Sequence, residues 1–493
     1  MHTEVMAVDR DHPAPDVIDR AAAVIKRGGL VVFPTETVYG LGANGLDADA
    51  VLGIFAAKGR PADKPLILHV GAPEQVRNLV QELTPAADVL MERFWPGPLT
   101  LVLRRSALVP DVVTGGGDTV AVRMPAHPVA QALINRAGVP LAAPSANLSG
   151  GASPTAAEHT AGLHGRVDLI LDAGPTGVGV ESTVLDLTGP VPVILRSGGV
   201  GRNEIGAVLG CEVEVREGDE VYQLATPFML LDGPPEQVIR HLRHLLALDQ
   251  AQGRRAGVLA YREEVTFWSP AALVQVVGSR DDQNELAGNL FAALHRLDGA
   301  GLDVIYASCG PSSGLGAAIN ERLKRAAGGR VRRVPVRSLL FVCTGNTCRS
   351  PMAEALFLAA WQRRCREQPP AVSSAGVAAV PGDLATPGAV AAMETRGLSL
   401  AEHRAQALGA GTPDLVLTMT GGQRQRVRAN FPALAERTFT LREYLGQGDL
   451  DVVDPFGGDM AVYRACADEL ERLCGQLVEM LCLAGNGPVE HEV

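Results

Sequence analysis

The chain has 493 residues, of which 46% are hydrophobic and 20% charged, and its formal net charge is −11. That length suggests roughly three domains, the composition is that of a globular protein with ample core, and the acidic balance argues against a broad nucleic-acid-binding face while leaving room for a local basic cleft. Eight cysteines in no regular framework, a charged opening stretch without an apolar core, and the absence of any run near about 18 apolar residues point to a reducing cytoplasm and no membrane span.

The first domain opens with a helix from Asp16 to Arg27, stopped by Gly28-Gly29, and a strand from Leu30 to Phe33. In Pro34-Thr35-Glu36-Thr37-Val38-Tyr39-Gly40-Leu41-Gly42 the apolar strand gives way to hydroxyls and glycines, as at a strand end facing a cleft. Lys58-Gly59-Arg60-Pro61 follows, with Lys64 and His69 close behind. Two cations around a glycine suit a polyphosphate, although a solvated helix end has the same pattern. Thr119-Val120-Ala121-Val122-Arg123 reads as a strand with Thr119 and Arg123 on one face. Pro144-Ser145-Ala146-Asn147-Leu148-Ser149-Gly150 is a polar turn, and Thr155-Ala156-Ala157-Glu158 predicts a capping box at a helix start. Glu181-Ser182-Thr183-Val184 and Leu195-Arg196-Ser197-Gly198-Gly199 complete the series.

Together these stretches resemble the threonylcarbamoyl-AMP synthase family over about residues 10–212. The resemblance implies an α+β domain built on a twisted sheet, which condenses L-threonine, bicarbonate and ATP into threonylcarbamoyl-AMP and pyrophosphate for tRNA modification. It assigns Lys58, Arg60, Thr119, Ser145, Asn147, Ser153 and Arg196 to ATP, and Thr35, His69, Arg123, Ala143 and Ser182 to threonine. A carbamate attacking an anionic nucleotide needs cations to offset repulsion and hydroxyls to fix orientation. Mg²⁺ is expected on the ATP phosphates, with no dedicated protein metal site. The implied partners are the tRNA-modification enzymes that take the product, with at most a weak tRNA contact. An RNA-binding module of the same fold, without synthase activity, is the alternative.

Residues 213–237 change to Glu-Val alternation and then Pro/Gly-rich sequence, and are read as a linker. The corresponding linker of two-domain synthases carries a Pro-Gly-Met-basic-Tyr-x-His-Tyr run that closes over the site; this sequence lacks it. Residues 238–330 alternate helix and strand: a helix to Leu248, a strand Gly257–Ala260, a helix Leu286–Leu297, a strand Val304–Tyr306 and a helix from Gly314. This unit resembles the small Rossmann-like accessory domain of those synthases. Gly314-Leu315-Gly316 alone does not make a dinucleotide site. The basic run Arg325–Arg337 is read as a solvated linker, with a tRNA contact as the alternative.

In the last third, the apolar run Leu339–Val342 reads as a buried strand entering Cys343-Thr344-Gly345-Asn346-Thr347-Cys348-Arg349-Ser350, with Ser350 at the N-cap of the next helix. Such a loop turns backbone N–H groups and a helix dipole toward its centre and favours a tetrahedral oxyanion there. In that field Cys343 becomes a thiolate nucleophile, and Arg349 can grip two phosphoryl oxygens. Ser373-Ser374-Ala375-Gly376 and Asp454-Pro455-Phe456-Gly457-Gly458 lie downstream. Residues 337–485 therefore resemble the low-molecular-weight protein-tyrosine phosphatases, whose fold is a doubly wound parallel sheet. The resemblance implies catalysis by Cys343, Arg349 and Asp454, the last as proton donor to the leaving group, with Thr344, Gly345, Asn346, Thr347, Cys348 and Ser350 shaping the phosphate loop, and with no cofactor.

Thr347 resembles the protein-arginine phosphatases and favours phosphoarginine on proteins, with phosphotyrosine as the alternative. Cys348 is either a disulfide partner that protects Cys343 or a buried loop-lining side chain. Arsenate reductase is a further alternative on the same fold, but Cys466, Cys474 and Cys482, eight apart on a predicted terminal helix, fit buried packing better than a mobile redox relay. The whole is expected to be a multidomain α/β bifunctional enzyme acting in the cytoplasm.

Overall fold

The computed structural model describes residues 2–482 except 217, 219–223, 269–271, 366–367, 410 and 449–450. Part of the expected 213–237 linker and residues 483–485 of the expected phosphatase region therefore lie outside the described residues. Three sheets carry the chain, one for each expected unit.

The first sheet runs, in spatial order, Glu4–Ala7, Leu169–Asp172, Val31–Phe33, Gly40–Asn44, Leu141–Ala142, Ile67–His69, Thr119–Arg123, Leu99–Arg104, Thr183–Asp186, Val193–Arg196 and Glu214–Val215. Parallel and antiparallel pairs mix along it. The opening strand pairs with Leu169–Asp172, so the sheet begins ahead of the residue-10 boundary read from the sequence. Apolar side chains cover both faces. One face packs against the helices Pro15–Lys26 and Pro128–Ala137 through Ile25, Phe33, Leu133 and Ile134. The other is built around Leu41, Ile54, Leu68, Leu101 and Val122.

The second sheet is wholly parallel: Leu273–Gly278, Ala256–Tyr261, Val304–Ser308, Phe228–Asp232, Val331–Arg333. Two readings are corrected here. Phe228–Asp232, inside the expected linker, is a strand, because its Phe228, Leu230 and Leu231 are apolar enough to fill an interior position. Val331–Arg333, inside the expected solvated run, is the edge strand, and Arg332 is buried with its guanidinium 4.2 Å from the Tyr444 ring centre. Arg332 thus docks the accessory domain onto the next one, since its side chain is desolvated against the Tyr444 and Phe439 rings, while Arg333 and Arg337 of the run stay exposed.

The third sheet is a four-stranded parallel layer, Ala371–Gly376, Ser338–Cys343, Leu415–Thr418, Thr438–Thr440. The helices Arg349–Arg364 and Met460–Cys482 pack on one side through Phe357, Trp361, Leu470 and Leu477, while Val427 and Leu434 cover the other. Helices on both faces of a parallel sheet require strands that are apolar throughout, which is the character of Leu339–Val342. Among the described residues no helix is long and apolar enough to cross a membrane.

The three cysteines of the terminal helix divide in a way their spacing does not reveal. Cys466 and Cys474 are buried, whereas Cys482 forms a disulfide with Cys365 at the end of the first phosphatase helix. An eight-residue step turns the helix face by about 80°, so the three do not share one stripe: Cys466 and Cys474 meet the core, and Cys482, at the helix end, meets a second cysteine.

Candidate functional sites

In the first domain, Asp47 accepts hydrogen bonds from Asp49 N and Ala50 N and starts the helix Ala48–Lys58; Gly59, with φ of 61°, ends it. A left-handed residue there lets the chain turn so that Lys58 reaches inward while Arg60 follows it round the rim. Lys58 Nζ donates to Ser145 O (2.5 Å) and to Asn147 O. Burial, with some repulsion from Arg60, lowers the Lys58 pKa from 10.5 to about 7.

The register of the sheet assembles the opposite wall. His69 and Arg123 are partners on neighbouring parallel strands, so the two side chains emerge side by side at the strand ends. Burial and the adjacent Arg123 push His69 down to about 3, so its ring is neutral. Arg123 forms an ion pair with Glu36 at 2.7 Å and donates to Gly97 O at 3.2 Å. Thr35 Oγ1 shares a hydrogen bond with Thr37 Oγ1 (2.8 Å) and donates to Val38 O (2.6 Å), which ties the Pro34–Gly42 turn. Ser182 is held between Thr100 Oγ1 at 2.7 Å and the Arg196 guanidinium at 3.0 Å.

A cavity of about 550 Å³ lies between these walls, and all twelve residues singled out for ATP and threonine line it. Among the other lining residues, Thr37, Lys64, Glu181 and Arg325 were given no role from the sequence. Glu181 stands beside Ser182 in the quoted Glu-Ser-Thr run and was legible as a neighbour. Arg325 was hidden, because it comes from the accessory domain. The capping box at Thr155 does not form: Ala157–Leu163 is a 3₁₀ turn without a side-chain cap, and Thr155 N donates instead to His159 Nδ1 at 3.2 Å.

In the last domain the strand Ser338–Cys343 delivers Cys343 to the base of its loop. Asn346, with φ of 55°, is the pivot; asparagine tolerates the left-handed region better than other side chains do. Its backbone N donates to Cys343 Sγ at 3.2 Å, and its Nδ2 donates to Ser350 Oγ and Ser374 Oγ, both at 2.9 Å. Gln406 N donates to its Oδ1 at 2.8 Å, and His403 Nε2 lies 2.7 Å from its carbonyl oxygen. The Ser373–Gly376 stretch thus buttresses the loop, while His403, Gln406 and Gln423, which donates to Thr344 Oγ1 at 3.0 Å, went unread.

Ser350 is not the N-cap. The helix begins at Arg349, Cys348 takes the cap position, and Ser350 Oγ turns inward to within 3.0 Å of Cys343 Sγ. Starting the helix two residues earlier than expected aims its first-turn N–H groups into the loop. Arg349 donates to Val452 O at 3.2 Å and is ion-paired with Asp454, which is half exposed at the mouth. Cys348 Sγ lies 3.3 Å from Thr386 Oγ1 and 3.8 Å from Tyr463 Oη, and both Cys343 and Cys348 are free thiols. The chain between Ala371 and Thr386 closes the other side of the loop, since Thr386 N donates to Thr347 O at 2.9 Å.

Comparison with known proteins bears on the domains that carry both sites. The family model described as telomere recombination, covering Sua5, YciO and YrdC, matches residues 23–198, and that for the threonylcarbamoyl-AMP synthase C-terminal domain matches 219–328. The threonylcarbamoyl-AMP synthase of Pyrococcus abyssi is 46% identical over 333 residues, which are 64% of this chain and 95% of that protein. The chain belongs to the threonylcarbamoyl-AMP synthase family. The crystal structure of P. abyssi Sua5 complexed with L-threonine is 44% identical, covers 67% of this chain and 99% of its own, and superposes with a TM-score of 0.63. Residues 338–484 match the model for low molecular weight phosphotyrosine protein phosphatase. A YwlE arginine phosphatase from Geobacillus stearothermophilus is 41% identical over 30% of this chain and 93% of its own, with a TM-score of 0.27. The synthase chain therefore carries a hydrolase domain of the low-molecular-weight phosphatase class at its C-terminal end.

Proposed function

We propose that both sites are active in one cytoplasmic protein: the first makes threonylcarbamoyl-AMP for tRNA modification, and the second hydrolyses phosphoarginine on proteins. For the first reaction the carrying observation is the convergence of twelve separately quoted residues on one cavity large enough for a nucleotide and an amino acid. The amine of threonine adds to bicarbonate with loss of water. The resulting carbamate oxygen attacks the α-phosphorus, and the bond to pyrophosphate breaks. Lys58, Arg60 and Arg196 offset the charge that accumulates, Ser145, Asn147 and Ser153 orient the nucleotide, and Arg123 with the neutral His69 faces the amino acid. Mg²⁺ would be carried by the nucleotide phosphates, as it commonly is when held largely through substrate phosphates. Pyrophosphate release that requires L-threonine tests this reading; tight tRNA binding without it would replace the synthase by an RNA-binding module.

At the second site Cys343 attacks phosphorus while Asp454 gives a proton to the departing nitrogen, and the phospho-cysteine is then hydrolysed by a water that Asp454 deprotonates. Thr347, half-buried in the loop between Asn346 and Cys348, supports phosphoarginine, because its β-branched hydroxyl narrows the mouth and offers an oxygen to a guanidinium. An arsenate reductase relay is disfavoured by burial, which pushes the Cys466 thiol up to about 12 and Cys474 higher still. The deciding measurement is kcat/KM on matched phosphoarginine and phosphotyrosine peptides, with Cys343→Ser as the blank. A phosphoarginine preference that shrinks in Thr347→Ile supports the assignment. A phosphotyrosine preference makes the domain a tyrosine phosphatase and Thr347 a packing residue.

A further inference from the structure

One helix of the accessory domain, Leu315–Ala326, reaches into the synthase cavity. Its Arg322 has no exposed side-chain surface, and its Nε donates to Glu181 Oε2 at 2.8 Å while Nη2 donates to Ser197 O at 2.8 Å. Glu181 Oε1 in turn accepts from Ser153 Oγ at 2.5 Å. Burial alone would raise the Glu181 pKa, but Arg322 and Arg196 outweigh it and hold the carboxylate well below the usual range. Ser153 is approached from the accessory domain a second time, with His295 Nε2 3.3 Å from its carbonyl oxygen and the His295 ring stacked on His159 at 4.2 Å.

One helical turn beyond Arg322, the buried Arg325 lines the cavity itself. Glu321 pairs with both arginines, so this turn is built as a unit that holds Arg325 at the cavity and Arg322 against Glu181. A buried ion pair spanning two domains is weak evidence for added stability, since desolvation offsets the attraction. What it supplies here is placement: a carboxylate fixed against a hydroxyl of the nucleotide-binding set, and a cation in a cavity already lined by Lys58, Arg60 and Arg196.

We infer that the accessory domain completes the synthase site: Arg325 is a ligand for the polyphosphate of the nucleotide, and Arg322 is a positioning residue that orients Ser153 through Glu181. This rests on the cavity being the ATP site. Guanidinium on phosphate is a charge-assisted, bidentate interaction, and its loss from one of several cations weakens binding by about tenfold.

The test uses the full chain. ATP binding by calorimetry and threonine-dependent pyrophosphate release are measured for wild type, Arg325→Gln and Arg325→Lys. Arg325→Gln is expected to weaken ATP binding and raise KM for ATP by about tenfold, leave KM for threonine within about twofold, and be largely rescued by lysine. Arg322→Gln leaves the Glu181 carboxylate without its main partner, so kcat/KM for ATP gains an acidic limb absent from wild type and lost again in Arg322→Lys. The thermal unfolding transition and far-UV circular dichroism of each variant report that the synthase and accessory domains are folded. Unchanged ATP affinity in Arg325→Gln, or a pH profile of Arg322→Gln identical to wild type, overturns the inference. ATP binding without threonine-dependent pyrophosphate release in wild type overturns the synthase reading and leaves the Arg325 result to stand by itself.

Discussion

Raising the pH through the Lys58 titration is expected to weaken ATP binding, and binding is expected to draw a proton from solution. Lys58 is 3% exposed, and its pKa falls from 10.5 to about 7 through desolvation and the charge of Arg60. Nucleotide phosphates favour the ammonium form, so binding to the neutral lysine must be coupled to proton uptake. With a free-state pKa near 7, apparent Kd rises about fiftyfold between pH 7 and pH 9, and uptake at pH 8 approaches about 0.9 proton per ATP. Calorimetry at pH 8 in two buffers of different ionisation enthalpy measures that number directly. Lys58→Arg, which stays protonated, should abolish the uptake while retaining binding. The same shift gives the sign for folding: the unfolded lysine holds its proton up to about 10.5, so the Lys58 contribution to stability rises with pH from about 7 to 10.5. A Kd independent of pH between 7 and 9, together with zero uptake in wild type, would refute the idea that burial governs this lysine.

Two further outcomes concern the phosphatase domain. Asp454→Asn should lower kcat on a phosphoarginine peptide by about 10²–10⁴-fold and lower it much less on p-nitrophenyl phosphate, whose leaving group needs no proton; equal losses would demote Asp454 to a partner of Arg349. Reduction of the Cys365–Cys482 bond, which closes a sequence separation of 117 residues, or the Cys482→Ser substitution, should cost that domain about 2–4 kcal/mol by urea unfolding, and an unchanged midpoint would count against a structural role.

Much of the chemistry was legible because it is local. The Cys343–Ser350 loop is contiguous, its strand and helix follow from an apolar run and a proline, and the tight turn follows from Gly345 and Asn346. Hydroxyl and cation stretches in the first domain were visible but ambiguous one by one, and the family resemblance marked Lys58, Ser145 and Arg196 without showing how they meet. The three-unit architecture followed from chain length and the two family resemblances, with strand–helix alternation marking the accessory unit.

What the linear pattern cannot carry is register and docking. That His69 stands beside Arg123 depends on which strands pair, a choice made by burying Leu68, Leu101 and Val122 in one core rather than by the residues themselves. Polar or charged runs were read as linkers because charge usually means solvent. Arg332 and Arg325 of the Arg325–Arg337 run are instead desolvated, against Tyr444 and the synthase cavity, and Arg322, on the expected last accessory helix, is buried against Glu181. An arginine in sequence has no sign that says which carboxylate or ring it will find. Sequence by itself determined the reactive groups and the units that carry them, whereas only tertiary structure decided that one unit supplies side chains to its neighbour's site, because that depends on long-range packing whose partners lie 141 and 142 residues apart.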